Sequence, residues 1–485
     1  MSQENEVKRT LGLLDATSIV AGSMIGSGIF VVSTFMARDV GATGYLLLIW
    51  VITGLLTVSA ALSYGELAGM MPHAGGQYVY IRRAYNPLIA FLYGWTVFTV
   101  IQTGVIAAVA VVFSNYTAVF FPELNHEIFK AGTMIFTWKQ VLAIITILLL
   151  TFVNNRGVRS GKIIQLFFTS AKLIALFALI VLGFAVGFKT STLSDNFHHL
   201  WDASRTWMDT HTGKWNTESL TGIALLGAMG ATIINSLFSS DAWNNVTFIA
   251  AEIKDPRKNI PRSLFLGTTL VTLVYLLANL AYLALIPLHG DPAATTVLGR
   301  GIQFAANDRV GAAAASVIFG DTGSFIMAGL IMVSTFGCMN GVILSGARLY
   351  YAMAQDGLFF KKAGLLNAKQ VPSFALWVQC AWACALCLSG TYSELLTYST
   401  FASLLFYILT IGGIYILRKK EPDAERPYKA FGYPVLPAIY LIVTTAICLD
   451  LLVYDPKSTG AGLLIVMLGI PVYLIAKPDQ KKQTS

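Results

Sequence analysis

The stretch "GSMIGSGIF" at residues 22–30 places three glycines inside an apolar segment long enough to cross a membrane. One interpretation is close helix packing, because a small residue at every fourth position lets two helix backbones approach. The other is a break in the helix, since two glycines around Ser27 favour leaving the helical conformation. Freed backbone groups are tolerated in a membrane only where they line a cavity, and the amides that start a half-helix attract a carboxylate. The stretch therefore indicates either a packing face or an anion site.

The composition is that of a membrane protein. Of the 485 residues, 55% are hydrophobic and only 12% are charged, and the mean hydropathy is +0.66. A spanning helix needs about 20 mostly apolar residues, and the chain divides at its charged and turn-rich stretches into about twelve such segments. The predicted fold class is an all-α integral membrane protein with spans at residues 11–37, 42–70, 87–120, 138–155, 163–188, 221–249, 263–287, 323–355, 372–389, 394–417, 433–453 and 460–476.

The basic residues predict the orientation. Short cytoplasmic loops accumulate Lys and Arg, and most of the 33 such residues fall on one side if the N-terminus is cytoplasmic. We therefore expect both termini on the cytoplasmic face of the cell membrane. The opening "MSQENEVKRT" has no apolar core, so we expect no removable signal peptide. Topology and anionic lipid explain the net charge of +8, and no nucleic-acid partner is expected.

Lys172 does not fit this charge distribution, because it lies within the apolar run "QLFFTSAKLIALFALIV" of the fifth span. An ammonium at that depth costs a few kcal/mol to insert. One interpretation is a side chain that reaches back to the interface. The position is more than two turns from the predicted helix end, which favours a charge that faces the interior of the helix bundle.

Catalytic and metal-binding patterns are not evident. Cys380, Cys384 and Cys387 share one face of the ninth predicted span, where a soft-metal site is conceivable but small apolar packing explains them better. The six histidines have no metal-ligand spacing, and no nucleophile–base pair, carboxylate pair or phosphate loop stands out. We expect no enzyme activity, no cofactor and no metal.

A second interruption occurs in the sixth span. Its segment "NSLFSSDAWNN" places Ser239, Ser240, Asp241 and Asn244 at the depth of the mid-membrane. Transporters built from inverted repeats pair two such broken helices around a central site. Asp241 is then either a functional intramembrane acid or a structural acid satisfied by the neighbouring serine hydroxyls.

Three segments carry a family resemblance: "GSMIGSGIF", "FSSDAWNNVTFIAAEIKDPRKNIPRS" and "STFGCMNGVILSGARLYYAMAQDG". They resemble the amino acid-polyamine-organocation (APC) superfamily, and in particular its L-type amino acid transporter branch. The resemblance implies a LeuT-type 5+5 inverted repeat with two further helices. The regions implied are a cytoplasmic N-terminus (1–10), a first repeat (11–188), an extracellular loop (189–220), a second repeat (221–418), helices 11 and 12 (419–476) and a cytoplasmic C-terminus (477–485).

The resemblance also implies the substrate-binding residues. Ser27 and Gly28, with Gly26 beside them, match the positions whose amides hold the substrate carboxylate. The backbone carbonyl of Met24 matches a group that takes the substrate amine, together with Phe238 and Asp241 at the break of the sixth span. The candidates at that break are Phe238, which also matches an aromatic gate, Ser239, Asp241 and Asn244.

Asp241 and Ala242 stand where many relatives have a glycine pair. An acid near the side-chain pocket could favour a cationic substrate, or it could remain tied to Ser239 or Ser240. We expect a small or medium neutral amino acid as substrate.

Lys172 matches a fifth-helix lysine that occupies the place of a sodium ion in sodium-independent members and bridges the first and eighth helices. The eighth span offers Ser334, Thr335, Cys338 and Asn340 around that place, while Val342 lacks a hydroxyl that sodium-coupled relatives tend to have. Sodium coupling is therefore not expected. Whether Lys172 also carries a proton is open.

Animal relatives bind a heavy chain through a cysteine in the loop between the third and fourth helices, and that loop has no cysteine here. A transporter without a disulfide-linked heavy chain is expected. The predicted function is a sodium-independent amino acid exchanger. The alternatives are a proton-coupled symporter, a cationic amino acid or polyamine transporter and, more remotely, an amino acid sensor that does not transport.

Overall fold

The computed structural model describes residues 9–131, 134–209, 212–388 and 392–476. Within these ranges the chain is almost entirely helical, and every predicted span contains a helix. The predicted C-terminal tail 477–485 lies outside the described residues, as does the predicted N-terminal tail 1–10 except for residues 9 and 10.

The first half of the chain begins with a span in two pieces, α1 and α2, because the glycine-containing stretch interrupts the helix. The third predicted span is also in two pieces, α5 and α6, joined by a turn of π-helix at Val97–Ile101. The helices are α1 (Leu13–Met24), α2 (Val32–Val40), α3 (Thr43–Met70), α4 (Gln77–Ala84), α5 (Pro87–Thr96), α6 (Gln102–Phe120), α7 (Trp138–Asn155), α8 (Val158–Gly187) and α9 (Thr192–His198).

The second half contains the other interrupted span, formed by α10 and α11. Its helices are α10 (Gly222–Ser239), α11 (Asn245–Phe248), α12 (Pro256–Leu285), α13 (Val297–Arg300), α14 (Val310–Phe319), α15 (Gly323–Gln355), α16 (Ser373–Leu386), α17 (Tyr392–Lys420), α18 (Val435–Tyr454) and α19 (Pro456–Ala476). In the described part of the chain, 10 helical stretches are long and apolar enough to cross a membrane, and α1 and α16 are shorter apolar helices. The chain is thus a multi-pass helical membrane protein.

Two small β-hairpins add to the predicted all-α fold. Strands β1 (Glu127–Ala131) and β2 (Met134–Thr137) pair in the loop before α7, and β3 (Ser204–Met208) and β4 (Trp215–Ser219) pair in the loop before α10. This second loop is anchored on the bundle. The Asn196 side chain donates to the carbonyls of Leu283 and Ile286 at 2.7 and 2.9 Å, at the end of α12.

Helix α4 has buried Tyr78, Tyr80 and Ile81, and two arginines in its last turn. Its arginines form ion pairs, Arg82 with Asp356 and Arg83 with Glu421. The helix therefore packs against the bundle.

The core divides into two apolar clusters. The larger contains most of the buried side chains of α1, α2, α3 and α12, and the smaller contains those of α6, α7, α15 and α16. Helix α12 packs on α1 and α3, whereas α15 packs on α6, α8 and α16. Of the two interrupted spans, the first packs on α8 and α15 through α1, and the sixth packs on α15 through α11.

Candidate binding site

The break in the first span exposes a run of backbone carbonyls. Helix α1 ends at Met24, Ile25 is extended with φ −75° and ψ 96°, and a short 3-10 turn at Gly28–Phe30 precedes α2. The carbonyls that lose their helical partners accept hydrogen bonds from side chains of α8, α12 and α15. The break is therefore held by tertiary contacts.

Lys172 supplies the largest share of these contacts. Its side chain is 1% exposed, and its Nζ donates to the carbonyls of Gly22 at 2.6 Å, Ile25 at 2.5 Å and Ser334 at 3.3 Å. All three ammonium hydrogens thus have an acceptor. The ammonium bridges the first and eighth spans, and the side chain does not reach the interface.

The eighth span contributes only part of the set that we predicted around Lys172. Ser334 Oγ lies 3.1 Å from the Gly26 carbonyl, and Cys338 Sγ lies 3.1 Å from the Ser23 carbonyl. Residues 334 and 338 share a helix face, being four positions apart. The other two predicted residues face elsewhere: Thr335 donates to the Ile331 carbonyl of its own helix, and Asn340 bonds to Asn154 and Gln165.

The sixth span breaks at the same level. Helix α10 ends at Ser239, and Ala242 has φ +64°, a left-handed conformation that alanine adopts at a steric cost. Gly28 lies directly against this break. A Cβ added to Gly28 would sit 2.7 Å from the Ser239 Cβ and 3.0 Å from its Cα. A side chain at residue 28 would therefore force the two breaks apart.

Tyr275 of α12 joins the two breaks. Its hydroxyl lies 3.2 Å from the Met24 carbonyl and 3.0 Å from the Ser239 carbonyl. A hydroxyl has one hydrogen, so it can donate to only one of these carbonyls at a time. Sequence analysis missed this residue because its position in a long apolar helix carries no local signal.

Asp241 has a hydrogen-bond partner outside its own span. Its carboxylate accepts a 2.5 Å hydrogen bond from the Tyr407 hydroxyl of α17, whereas Ser239 Oγ donates to the Asn235 carbonyl of its own helix at 3.0 Å. A serine inside an α-helix commonly bonds back four residues. The hydrogen bond to Asp241 therefore comes from α17 and not from Ser239.

Two small cavities adjoin Asp241. One extends toward α5, α6 and the π-helical turn, and the other toward α3 and α18. Each has a volume of about 20 Å³, which is room for one water molecule. The space beside Asp241 is thus small, and polar and aromatic side chains such as Asn244, Ser403 and Tyr407 line it.

The other candidates have structural contacts as well. Asn244 Nδ2 donates to Gln77 Oε1 at 2.8 Å, and Gln77 in turn donates to Thr410 at 3.0 Å. These two hydrogen bonds connect the sixth span, α4 and α17. The Phe238 carbonyl accepts from the amide of Asp241 at 3.2 Å, and Ser27 is buried with its carbonyl bonded to the Phe30 amide.

Paired helix breaks around a buried centre, in a multi-pass helical bundle, are typical of membrane transporters. The profile of the amino acid permease family matches residues 11–474. The chain belongs to that family, within the APC superfamily.

Individual relatives agree with this assignment. The chain is 30% identical to the mouse (Mus musculus) "Large neutral amino acids transporter small subunit 2" over 481 residues, which is 98% of this chain and 82% of the relative. It is 29% identical to the mouse "Asc-type amino acid transporter 1" over 479 residues, with the same shares. It is 28% identical to the "Serine/threonine exchanger SteT" of Bacillus subtilis over 475 residues, 97% of this chain and 98% of the relative.

Proposed function

We propose that this protein is a sodium-independent exchanger of small or medium neutral amino acids in the cell membrane, with both termini on the cytoplasmic face. The observation that carries the proposal is the contact between Gly28 and Ser239, which brings the breaks of the first and sixth spans together. Transporters with paired broken helices bind their substrate at such a point.

The backbone at the breaks supplies the groups that a zwitterion needs. The amides around Gly26, Ser27 and Gly28 bind the carboxylate, since amides at a half-helix start attract anions. The carbonyls of Met24 and Phe238 take the ammonium. In support, the carbonyls of Met24 and Ser239 already converge on one donor, the Tyr275 hydroxyl.

The substrate side chain points toward Asp241 and Asn244. The Tyr407 hydroxyl donates to one oxygen of the Asp241 carboxylate at 2.5 Å, so part of the hydrogen-bonding capacity of this acid is already used within the protein. The small cavities beside it favour short side chains. One relative is named as a serine/threonine exchanger, and serine and threonine have short side chains.

Lys172 takes the place of a sodium ion in this proposal. Its ammonium is surrounded by three carbonyl oxygens of the first and eighth spans, as a bound cation would be. A cation tethered to α8 holds the broken backbone together without a coupling ion.

Exchange requires the two sides of the site to open in turn. We assign residues 11–188 and 221–418 to the two repeats, and we assign spans one, two, six and seven to a bundle that rocks against spans three, four, eight and nine. The division of the core into two apolar clusters supports this assignment. The chain acts without a disulfide-linked heavy chain, since the hairpin loop before α7 has no cysteine.

Uptake into proteoliposomes tests the function. Radiolabelled alanine, serine, leucine and lysine are offered without sodium, at two external pH values, to vesicles that are empty or loaded with unlabelled amino acid. We expect uptake only into loaded vesicles, independent of the pH gradient. Uptake into empty vesicles that grows with an inward proton gradient would instead establish the proton-coupled symporter, with the buried Lys172 as its candidate proton carrier. Binding without uptake in either case would support the sensor.

A further inference from the structure

An open groove of about 650 Å³ lies where α12 begins, at the end of the bundle that the proposed orientation places in the cytoplasm. It runs between α3, the first turns of α12 and the segment 427–431 that precedes α18. Four cations line it, together with two exposed aromatic side chains. They are Arg257, Lys258, Arg262, Lys429, Phe265 and Phe431.

The groove is held in shape by a buried carboxylate. Glu66 of α3 is 1% exposed and accepts two hydrogen bonds from Arg418, at 2.9 and 2.7 Å. It also accepts one from the backbone amide of Ala430 at 2.7 Å. The amide contact fixes the segment 427–431 against α3.

Close packing completes one wall. A Cβ added to Gly65 would lie 2.8 Å from a ring carbon of Tyr428 and 3.2 Å from the Cβ of Pro261. The absence of a side chain at residue 65 thus lets the tyrosine ring and α12 approach α3 together. The groove is preformed, so a ligand would bind without ordering the segment first.

The charge of the groove is unbalanced. Arg257 pairs with Glu425 at 2.9 Å, whereas Lys258, Arg262 and Lys429 have no ion pair within the part of the chain that the structure describes. Like charges that face one space repel each other unless an anion lies between them. The groove is therefore complementary to a negatively charged ligand.

The apolar wall identifies the kind of anion. Phe265 is 43% exposed and Leu266 is 46% exposed on the outer surface of α12, and Phe431 is 70% exposed beside the groove. These side chains continue the surface that faces lipid. A ligand that meets both the cations and this surface carries a phosphate at one end and hydrocarbon at the other.

We propose that the groove formed by Arg257, Lys258, Arg262 and Lys429 binds the headgroup of an anionic phospholipid of the cytoplasmic leaflet, with an acyl chain along Phe265. Basic pockets between membrane helices on this side are suited to such headgroups. The site is distinct from the candidate substrate site, and it depends on the proposed orientation but not on which amino acid is transported.

Lipid retention by the purified full-length protein tests this proposal. Delipidated protein in detergent is titrated with phosphatidylglycerol or phosphatidylcholine, and bound lipid is counted by native mass spectrometry. We expect selective retention of phosphatidylglycerol. The double variant Arg262→Gln/Lys429→Gln should weaken it about 25-fold, at roughly fivefold for each cation near the membrane surface. The control Lys361→Gln/Lys362→Gln removes two exposed lysines outside the groove and should retain the lipid as the parent does.

A variant with the opposite expectation keeps the test informative if the double variant folds poorly. Glu425→Gln releases Arg257 from its ion pair and should strengthen phosphatidylglycerol binding. Equal retention of the two lipids, or no change in either variant, would overturn the proposal. Inorganic phosphate is the final arm: if it displaces phosphatidylglycerol at comparable concentration, the groove binds a free anion and the lipid assignment is wrong.

Discussion

The Nζ of Lys172 lies 2.5 Å from the carbonyl oxygen of Ile25, the residue at which the first span leaves the helical conformation. The lysine comes from a neighbouring helix 147 residues away in sequence. A backbone break that would be unfavourable in lipid is thereby stabilised by a side chain that would itself be unfavourable there. The ammonium satisfies the carbonyls freed at the break, and those carbonyls stabilise the buried ammonium.

This reciprocity predicts the effect of removing the charge. Lys172→Ala removes the ammonium donor of the Gly22 and Ile25 carbonyls, and Ile25 keeps only the Ser334 hydroxyl at 3.3 Å. A buried carbonyl left unsatisfied costs about 1–3 kcal/mol. We expect a lower melting temperature in detergent and loss of exchange in proteoliposomes. Lys361→Ala, at an exposed lysine, serves as the control. Normal exchange by Lys172→Ala would show that the bridge is dispensable.

The contact between Gly28 and Ser239 predicts a steric effect. In Gly28→Ala the new Cβ meets the backbone of Ser239 at 3.0 Å, so the two breaks must separate. We expect substrate affinity to fall at least tenfold, because the carboxylate and ammonium subsites are displaced relative to each other. Gly460→Ala is the matched control, since a Cβ there meets nothing within 4 Å. The measurement is the concentration dependence of serine uptake.

Tyr275 predicts a smaller and more specific change. Tyr275→Phe removes one buried hydroxyl that joins the two breaks, worth about 0.5–1.5 kcal/mol, and should alter the KM for exchange with a small loss of stability. Tyr282→Phe is a close control on the same helix, because its buried hydroxyl has no partner among the described residues. Equal effects of the two substitutions would argue against a role for Tyr275 at the breaks.

Asp241 and Tyr407 predict a change in substrate ranking. Tyr407→Phe removes the donor to one oxygen of the carboxylate, so both oxygens become available to a cationic substrate. We expect lysine uptake to rise relative to alanine, and Asp241→Asn to abolish that gain in the double variant. Competition of unlabelled lysine against labelled alanine measures the ranking. If Tyr407→Phe leaves the ranking unchanged, Asp241 has only a structural role.

The buried ion pair of Glu252 and Arg348 predicts coupled stability effects in a double-mutant cycle. The pair joins the segment after α11 to α15, with a separation of 2.5 Å and side chains only 2% and 3% exposed. Arg348→Met alone leaves a buried carboxylate without its counter-ion, which costs about 3–5 kcal/mol. The double variant Glu252→Gln/Arg348→Met should recover most of that loss. Thermal unfolding in detergent measures the cycle, and additive losses would mean that the two residues are not coupled.

Much of the architecture could be predicted from the sequence, because whether a membrane segment forms a helix depends mainly on its own residues. An apolar run of sufficient length forms a helix wherever its backbone must be satisfied internally. The fourth and eighth predicted spans accordingly coincide with Trp138–Asn155 and Gly323–Gln355. The break in the first span was one of two interpretations of the sequence, because glycines around Ser27 weaken a helix wherever they occur.

The sequence by itself determined the helices, their breaks and the burial of one lysine, since each depends on residues close together in the chain. Only the tertiary structure decided which groups satisfy the breaks. Tyr275 lies 251 residues from Met24, and Tyr407 lies 166 residues from Asp241. A tyrosine in an apolar helix gives no sign of the carbonyl or carboxylate that its hydroxyl will meet. That choice is made when the helices pack, because each buried polar group must then find a partner within hydrogen-bonding distance.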